Sequence, residues 1–257
     1  MKDPIFIEQA RELLEDSSPL EILQWAAESF KSQVTLASSL GAEDQVLTHL
    51  VAVHRYDIPI FMLDTGRHFE ETYQLLEETQ RQYDIHIKQF FPDHIDVEEA
   101  LNEYGPNFFR NDVSLRKHCC YIRKVKPLRR ALHGYSGWVT GLRREQSPTR
   151  DAVRPVEWDE GNGLYKINPL WRWTEDEVWD FIKSHDIPFN KLHDQGFPSI
   201  GCQPCTRAIE PGEDPRAGRW WWENPESKEC GLHLVNGRLV RAGSSAEQEE
   251  QPQPIQV

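Results

Sequence analysis

Five cysteines carry most of the chemistry this 257-residue sequence advertises. Four fall into two pairs, Cys119-Cys120 and Cys202-x-x-Cys205, which is a metal-ligand count. Structural zinc is one reading. The adjacent pair favours another, because neighbouring side chains on a helix diverge by about 100° and suit separate metal corners. A cubane iron–sulfur cluster offers four such corners. The fifth cysteine sits in Lys228-Glu229-Cys230-Gly231-Leu232-His233. Lys228 and His233 would favour its thiolate, so Cys230 is a candidate nucleophile, with His233 as its auxiliary. A passive thiol is the plain alternative.

A second set of residues suits an anionic nucleotide. Ser38-Ser39-Leu40-Gly41-Ala42-Glu43-Asp44 joins an apolar run to a helical pattern. Small and hydroxylated residues there let backbone N–H groups approach a phosphate at a helix N-terminus. The loop is not a Walker A sequence. Leu63-Asp64-Thr65-Gly66-Arg67 and Thr140-Gly141-Leu142-Arg143-Arg144 also end apolar runs. In an open α/β sheet such strand ends gather along one edge, where ligands bind.

Charge supports a local anion site and excludes a general nucleic-acid binder. The net charge is −13, yet residues 116–154 hold eleven Lys or Arg and only two acids. Such an island focuses a small anion, although a solvated basic helix face would give the same count. Cysteines without an export signal argue against a disulfide framework. The acidic start lacks a basic region followed by an apolar stretch, and no apolar run approaches the ~20 residues of a membrane span. A cytoplasmic protein without membrane attachment is expected.

The elements that must position these residues read as an α/β fold with a parallel central sheet flanked by helices. Residues 1–32 form two helices, the second opening at Pro19. Strands follow at Val34–Ala37, Ile58–Leu63, from Ile85, and at Trp138–Thr140. A helix runs from the paired cysteines to about His133, and another spans 174–184 behind a Thr174–Glu177 capping box. The Gly-, Pro- and Arg-rich stretch from Gly196 to His233 reads as a long loop or flexible arm. The last residues have low-complexity composition and are expected to be disordered.

The ordered motifs SSLGAED (38–44), LDTGRHFEETY (63–73), KHCCYIRKVKPL (117–128), TGLRREQSPTR (140–150), GCQPCTR (201–207), EDPRAGRWWW (213–222) and KECGLH (228–233) resemble the sulfonucleotide (APS/PAPS) reductase family, in its assimilatory branch that uses adenosine 5′-phosphosulfate (APS). The likeness spans about residues 32–234. It implies an adenine-nucleotide α-hydrolase-like fold with a nucleotide-binding and iron–sulfur domain at 33–205. A mobile arm at 206–235 would carry the nucleophile, and 236–257 would be a disordered tail. It also implies a [4Fe–4S] cluster on Cys119, Cys120, Cys202 and Cys205. Thioredoxin, or a glutaredoxin-like donor, would supply electrons for the release of sulfite and AMP, in sulfate assimilation and cysteine biosynthesis. By motif match, Lys124 and Arg123 lie between cluster and substrate, and Arg216 and Arg219 clamp the phosphosulfate. Arg143, Arg144 and Arg150 complete the pocket. Ser38, Gly41, Leu63, Thr65, Gly66 and Gly141 hold the nucleotide. The first loop reads Ser-Ser-Leu-Gly where the family often has S-x-S-G. Alternatives are a reductase of the 3′-phosphorylated nucleotide (PAPS), a non-catalytic metal-stabilised nucleotide module, and an ATP pyrophosphatase. A homo-oligomer is compatible with all of them.

Overall fold

The computed structural model describes residues 2–146 and 152–224. Local chemistry sets the first elements. The Asp3 carboxylate accepts from the N–H groups of Ile5 and Phe6 and so caps α1 (Pro4–Leu14). Ser18 and Glu21 form a capping box at α2 (Pro19–Phe30), with proline at the first turn. Both N-terminal helices thus stand where the sequence puts them.

Strand and helix then alternate: β1 (Val34–Ala37), α3 (Ala42–Val53), β2 (Ile60–Leu63), α4 (Glu70–Tyr83), β3 (Ile87–Phe90) and α5 (His94–Tyr104). Next, α6 (Val113–Cys120) passes through a π-helical turn, Tyr121–Val125, into α7 (Lys126–Leu132). Sequence periodicity suggests one unbroken helix. Pro127 explains the difference, because it has no N–H to give the Arg123 carbonyl four residues earlier. After β4 (Gly137–Val139), β5 (Val156–Asp159) and β6 (Leu164–Ile167) form a hairpin, and α8 (Glu175–Ser184) opens on the expected Thr174–Glu177 box.

The six strands run in the order β3-β2-β1-β4-β6-β5. All neighbours are parallel except β5, which pairs antiparallel with β6 at the edge. The expected parallel sheet is therefore mixed. The hairpin escapes a hydropathy reading because Glu157, Asp159 and Lys166 interrupt it. Lys166 is buried opposite Glu157 and lies over the Trp138 ring. Alternation along the strands sorts the core. Met62 and Val139 face a layer with Ile22, Val46 and Trp171, while Phe61 and Trp138 face Leu128 and Leu164. A third cluster joins Phe108, Phe109, Ile122 and Trp220 to the cysteines.

The first part of the expected arm, from residue 206, packs against the body of the fold. Trp220 is 2% exposed, the Arg207 N–H bonds the Gly218 carbonyl, and the Trp220 N–H bonds the Cys205 carbonyl. A side chain at Gly218 would meet the Arg207 oxygen at 2.3 Å, so glycine is needed for that approach. The Arg116–Glu223 ion pair fixes the far end. Arg150, Cys230, His233, the rest of the expected arm and the 236–257 tail lie outside the described residues.

Candidate active site

Strand order reverses direction about β1 and β4, so the loops leaving their C-terminal ends diverge and open a crevice. A cavity of about 400 Å³ occupies that place. Ser38, Gly41, Leu63 and Gly141 line it, as expected, with Lys124, Arg143, Arg216 and Arg219.

The first loop is built without a ligand. Asp44, in the first turn of α3, accepts from the Ser39 N–H at 2.6 Å and the Ser39 hydroxyl at 2.7 Å. Burial pushes its pKa up to about 6 against the pull of those bonds. The same carboxylate contacts Gly141 of the β4 loop, where an added Cβ would lie 2.5 Å from it. Asp44 thereby ties both sides of the crevice together. Gly41 caps α3 with no side-chain bond, leaving the helix end for other acceptors.

The basic island is divided among partners. Arg143 lines the crevice, but Glu43 holds its guanidinium at 2.8–2.9 Å. Arg144 turns away: its Nε bonds the Val153 carbonyl and its charge lies 4.1 Å from the Trp171 ring centre. It does not line the cavity. Lys126 reaches Asp96, and Arg130 reaches the Phe91 carbonyl. Lys124 from the island, with Arg216 and Arg219 from farther along the chain, lines the crevice as its cationic flank. Counting charges along a chain cannot reveal which ones find internal partners.

Behind this flank, Cys119, Cys120, Cys202 and Cys205 line one second, narrow cavity. None of the four is in a disulfide among the described residues. Burial raises Cys119, and burial with the neighbouring cysteines drives Cys205 up to about 12. Arg67, Arg116, Arg123, Lys124 and Arg219 surround the group. Among the described residues, no three His, Cys, Asp or Glu side chains converge on a point that could hold a single metal ion. Thr65 and Gly66 belong to this second cavity's surroundings and not to the crevice lining. The Thr65 hydroxyl is 3.3 Å from the Cys202 sulfur, and its carbonyl accepts from Arg123 at 2.6 Å. Arg123 likewise faces the cysteines. Lys124, Arg219 and Trp220 line both cavities and form their common wall.

Motif reading missed three contributors. His68 lines the crevice from within LDTGRHF, and Trp179 and His193 close its far side. The Arg116–Glu223 pair, its side chains 1% and 3% exposed, underlies Trp220. Only the His68 position lay inside a quoted motif. Arg116 and Glu223 each adjoin a quoted motif by one residue, whereas Trp179 and His193 come from distant segments.

A mostly parallel α/β sheet with a crevice at its switch point, a helix end beside it without a side-chain cap and a cationic flank is the arrangement in which open α/β folds bind small anionic ligands. Residues 33–208 match the phosphoadenosine phosphosulfate reductase domain, and the chain belongs to that family. A protein named adenosine 5′-phosphosulfate reductase from Allochromatium vinosum is 52% identical over 218 residues, 85% of each chain. One of the same name from Burkholderia cepacia is 50% identical over 214 residues, 83% of this chain and 86% of that protein. The crystal structure of phosphoadenylyl-sulfate (PAPS) reductase from Candida auris, a phosphate complex, superposes with a TM-score of 0.70 at 26% identity, covering 81% of this chain and 98% of the other. FMN adenylyltransferase from Candida glabrata, with FAD and inorganic pyrophosphate, shares the fold at a TM-score of 0.54 and 15% identity, over 92% of this chain and 83% of that one.

Proposed function

We propose that this chain reduces APS to sulfite and AMP in sulfate assimilation, with Cys230 as the nucleophile and thioredoxin as the donor. The observation that carries the reading is the common wall: Lys124, Arg219 and Trp220 border both a nucleotide-sized crevice and the four-cysteine cavity. Relatives about half identical over most of their length bear the name APS reductase.

The Cys230 thiolate attacks the sulfur of the sulfate group, an S–S bond forms, the S–O bond breaks and AMP leaves. A thioredoxin thiolate then attacks the Cys230 sulfur, displaces sulfite with its electron pair and leaves a mixed disulfide. The second thioredoxin thiol resolves that bond, so two electrons come from the dithiol. Lys124, Arg216 and Arg219 offset the charge of the phosphosulfate and of the departing phosphate. Ser39, Asp44 and Gly141 keep the crevice open to the nucleotide.

The cysteine set fits a [4Fe–4S] cluster. Four cysteines line one cavity, and Arg67, Arg123, Lys124 and Arg219 border it, a positive setting for the thiolates a cluster requires. Such a group, when bound, would supply fixed negative charge behind Lys124 and hold the 119–120 and 202–205 segments together. Free thiols among the described residues suit a reducing compartment, the cytoplasm. No helix among the described residues is long and apolar enough to cross a membrane.

The test is sulfite release from APS and from PAPS with reduced thioredoxin, alongside mass spectrometry of the Cys230 peptide after APS alone. The reading expects preference for APS, one sulfonate on Cys230, and no adduct in Cys230→Ser. Turnover by Cys230→Ser removes the nucleophile assignment, and preference for PAPS transfers the chain to the other branch.

A further inference from the structure

His68 stands in the crevice without a role in the chemistry above. Its Nε2 lies 3.0 Å from the Leu63 carbonyl at the end of β2. A carbonyl can only accept, so Nε2 carries the hydrogen and Nδ1 presents a lone pair. Nδ1 makes no hydrogen bond among the described residues, and it is not one of the buried polar atoms left without a partner. It is therefore open, and the ring lines the cavity.

Four titratable or charged groups face the ring. Lys124 comes from the π turn, Arg219 from the C-terminal segment, Asp64 from its own loop, and Tyr73 of α4 packs edge-on at 6.1 Å. Burial draws the imidazole below its usual value, and Lys124 and Arg219 add to that, while the Leu63 carbonyl and Asp64 oppose it. Burial first, and then the two cations beside it, favour the neutral ring in the empty crevice. An arriving phosphate reverses that balance, since its negative charge favours the imidazolium more than the neighbouring cations oppose it.

We propose that His68 is a phosphate ligand that charges on binding: Nδ1 takes a proton from solvent as the nucleotide enters and donates it in a hydrogen bond to the phosphate, with Nε2 still fixed on Leu63. The inference rests on the crevice being the nucleotide site. It adds a cation to Lys124, Arg216 and Arg219 only when substrate is present, so the empty pocket is not overloaded with positive charge. Fixing Nε2 on the backbone fixes the ring's orientation, which leaves one nitrogen for the ligand.

Calorimetric titration of the full chain with AMP at pH 7, in two buffers of different ionisation enthalpy, counts the protons taken up. The wild type should absorb a substantial fraction of one proton per AMP beyond that of His68→Gln, whose amide can still donate to the Leu63 carbonyl. Its affinity should also weaken more steeply than the variant's as pH rises, by at most about tenfold per unit for one coupled proton. Titration of the AMP phosphate is common to both proteins and cancels. Adenosine, without phosphate, should show no such difference. Imidazole nitrogen resonances of the wild type give a reading that needs no variant: AMP should move one histidine from the neutral to the doubly protonated pattern. Failure of AMP to bind the wild type overturns the nucleotide reading and this one with it. Binding with equal proton uptake in both proteins, or with no change in any imidazole, overturns the His68 proposal alone.

Discussion

Glu223→Gln tests whether the wall between the two cavities is held by one buried ion pair. Glu223 meets Arg116 in a two-pronged contact, Nε to Oε1 and Nη2 to Oε2, each at 2.9 Å. The two side chains are 1% and 3% exposed, so solvent screens them little. Removing one partner leaves a buried charge uncompensated and costs about 3–5 kcal/mol, far above the 0–1 kcal/mol of a surface pair. For a chain of this size that corresponds to a fall in Tm of roughly 6–20 °C. The cation–π contact of Arg116 with Trp220, at 4.5 Å, survives in Glu223→Gln and is lost in Arg116→Met. The second variant thus forfeits about 1 kcal/mol more from that source. The double change Arg116→Met with Glu223→Leu removes both charges and should recover most of the loss. Urea unfolding of the four proteins closes the cycle. A Glu223→Gln cost below 1 kcal/mol, or a double variant no better than the singles, refutes the reasoning. Because the Trp220 N–H bonds the Cys205 carbonyl, a Glu223→Gln protein carrying the proposed cluster should also release iron to a chelator faster than the wild type.

Gly141→Ala would set its Cβ 2.5 Å from Asp44 Oδ1 and 2.9 Å from Glu43 Cβ, which should cost about 1–3 kcal/mol and weaken AMP binding, as read by urea midpoint and calorimetry. Asp44 sits near 6 when folded against its ordinary 3.8, so between those values the folded protein binds more protons than the unfolded one. Its contribution to stability therefore falls as pH rises through that window, and Asp44→Asn should gain on the wild type between about pH 4 and 6 in paired unfolding curves. Arg144→Leu should leave KM for APS unchanged, since its charge lies on Trp171, whereas Arg219→Leu should raise it in steady-state kinetics. Cys202→Ser should lower the iron and sulfide content and the visible absorption of the purified protein.

The residue types alone carried the four-cysteine set, the Ser38–Asp44 loop and the Thr174–Glu177 cap, because each depends on neighbours within a few positions. Short apolar runs likewise sufficed for β1 and β2. The hairpin of β5 and β6 was not legible, since Lys166 and Glu157 look exposed until the pairing buries one against the other. The π turn depended on which carbonyl Pro127 leaves without a donor, a matter of helix register.

The sequence by itself determined the chemical inventory: thiols in metal-binding pairs, a small-residue loop before a helix, and an excess of cations between 116 and 154. Only the tertiary structure decided their use. Strand order put the crevice between β1 and β4, because loops diverge where connections reverse. Packing gave Arg143 to Glu43, Arg144 to Trp171 and Thr65 to Cys202, and set Lys124 and Arg219 on the wall between the crevice and the cysteines. A side chain's charge is written in the sequence, but the partner that neutralises it is fixed by distance, and distance is a property of the fold.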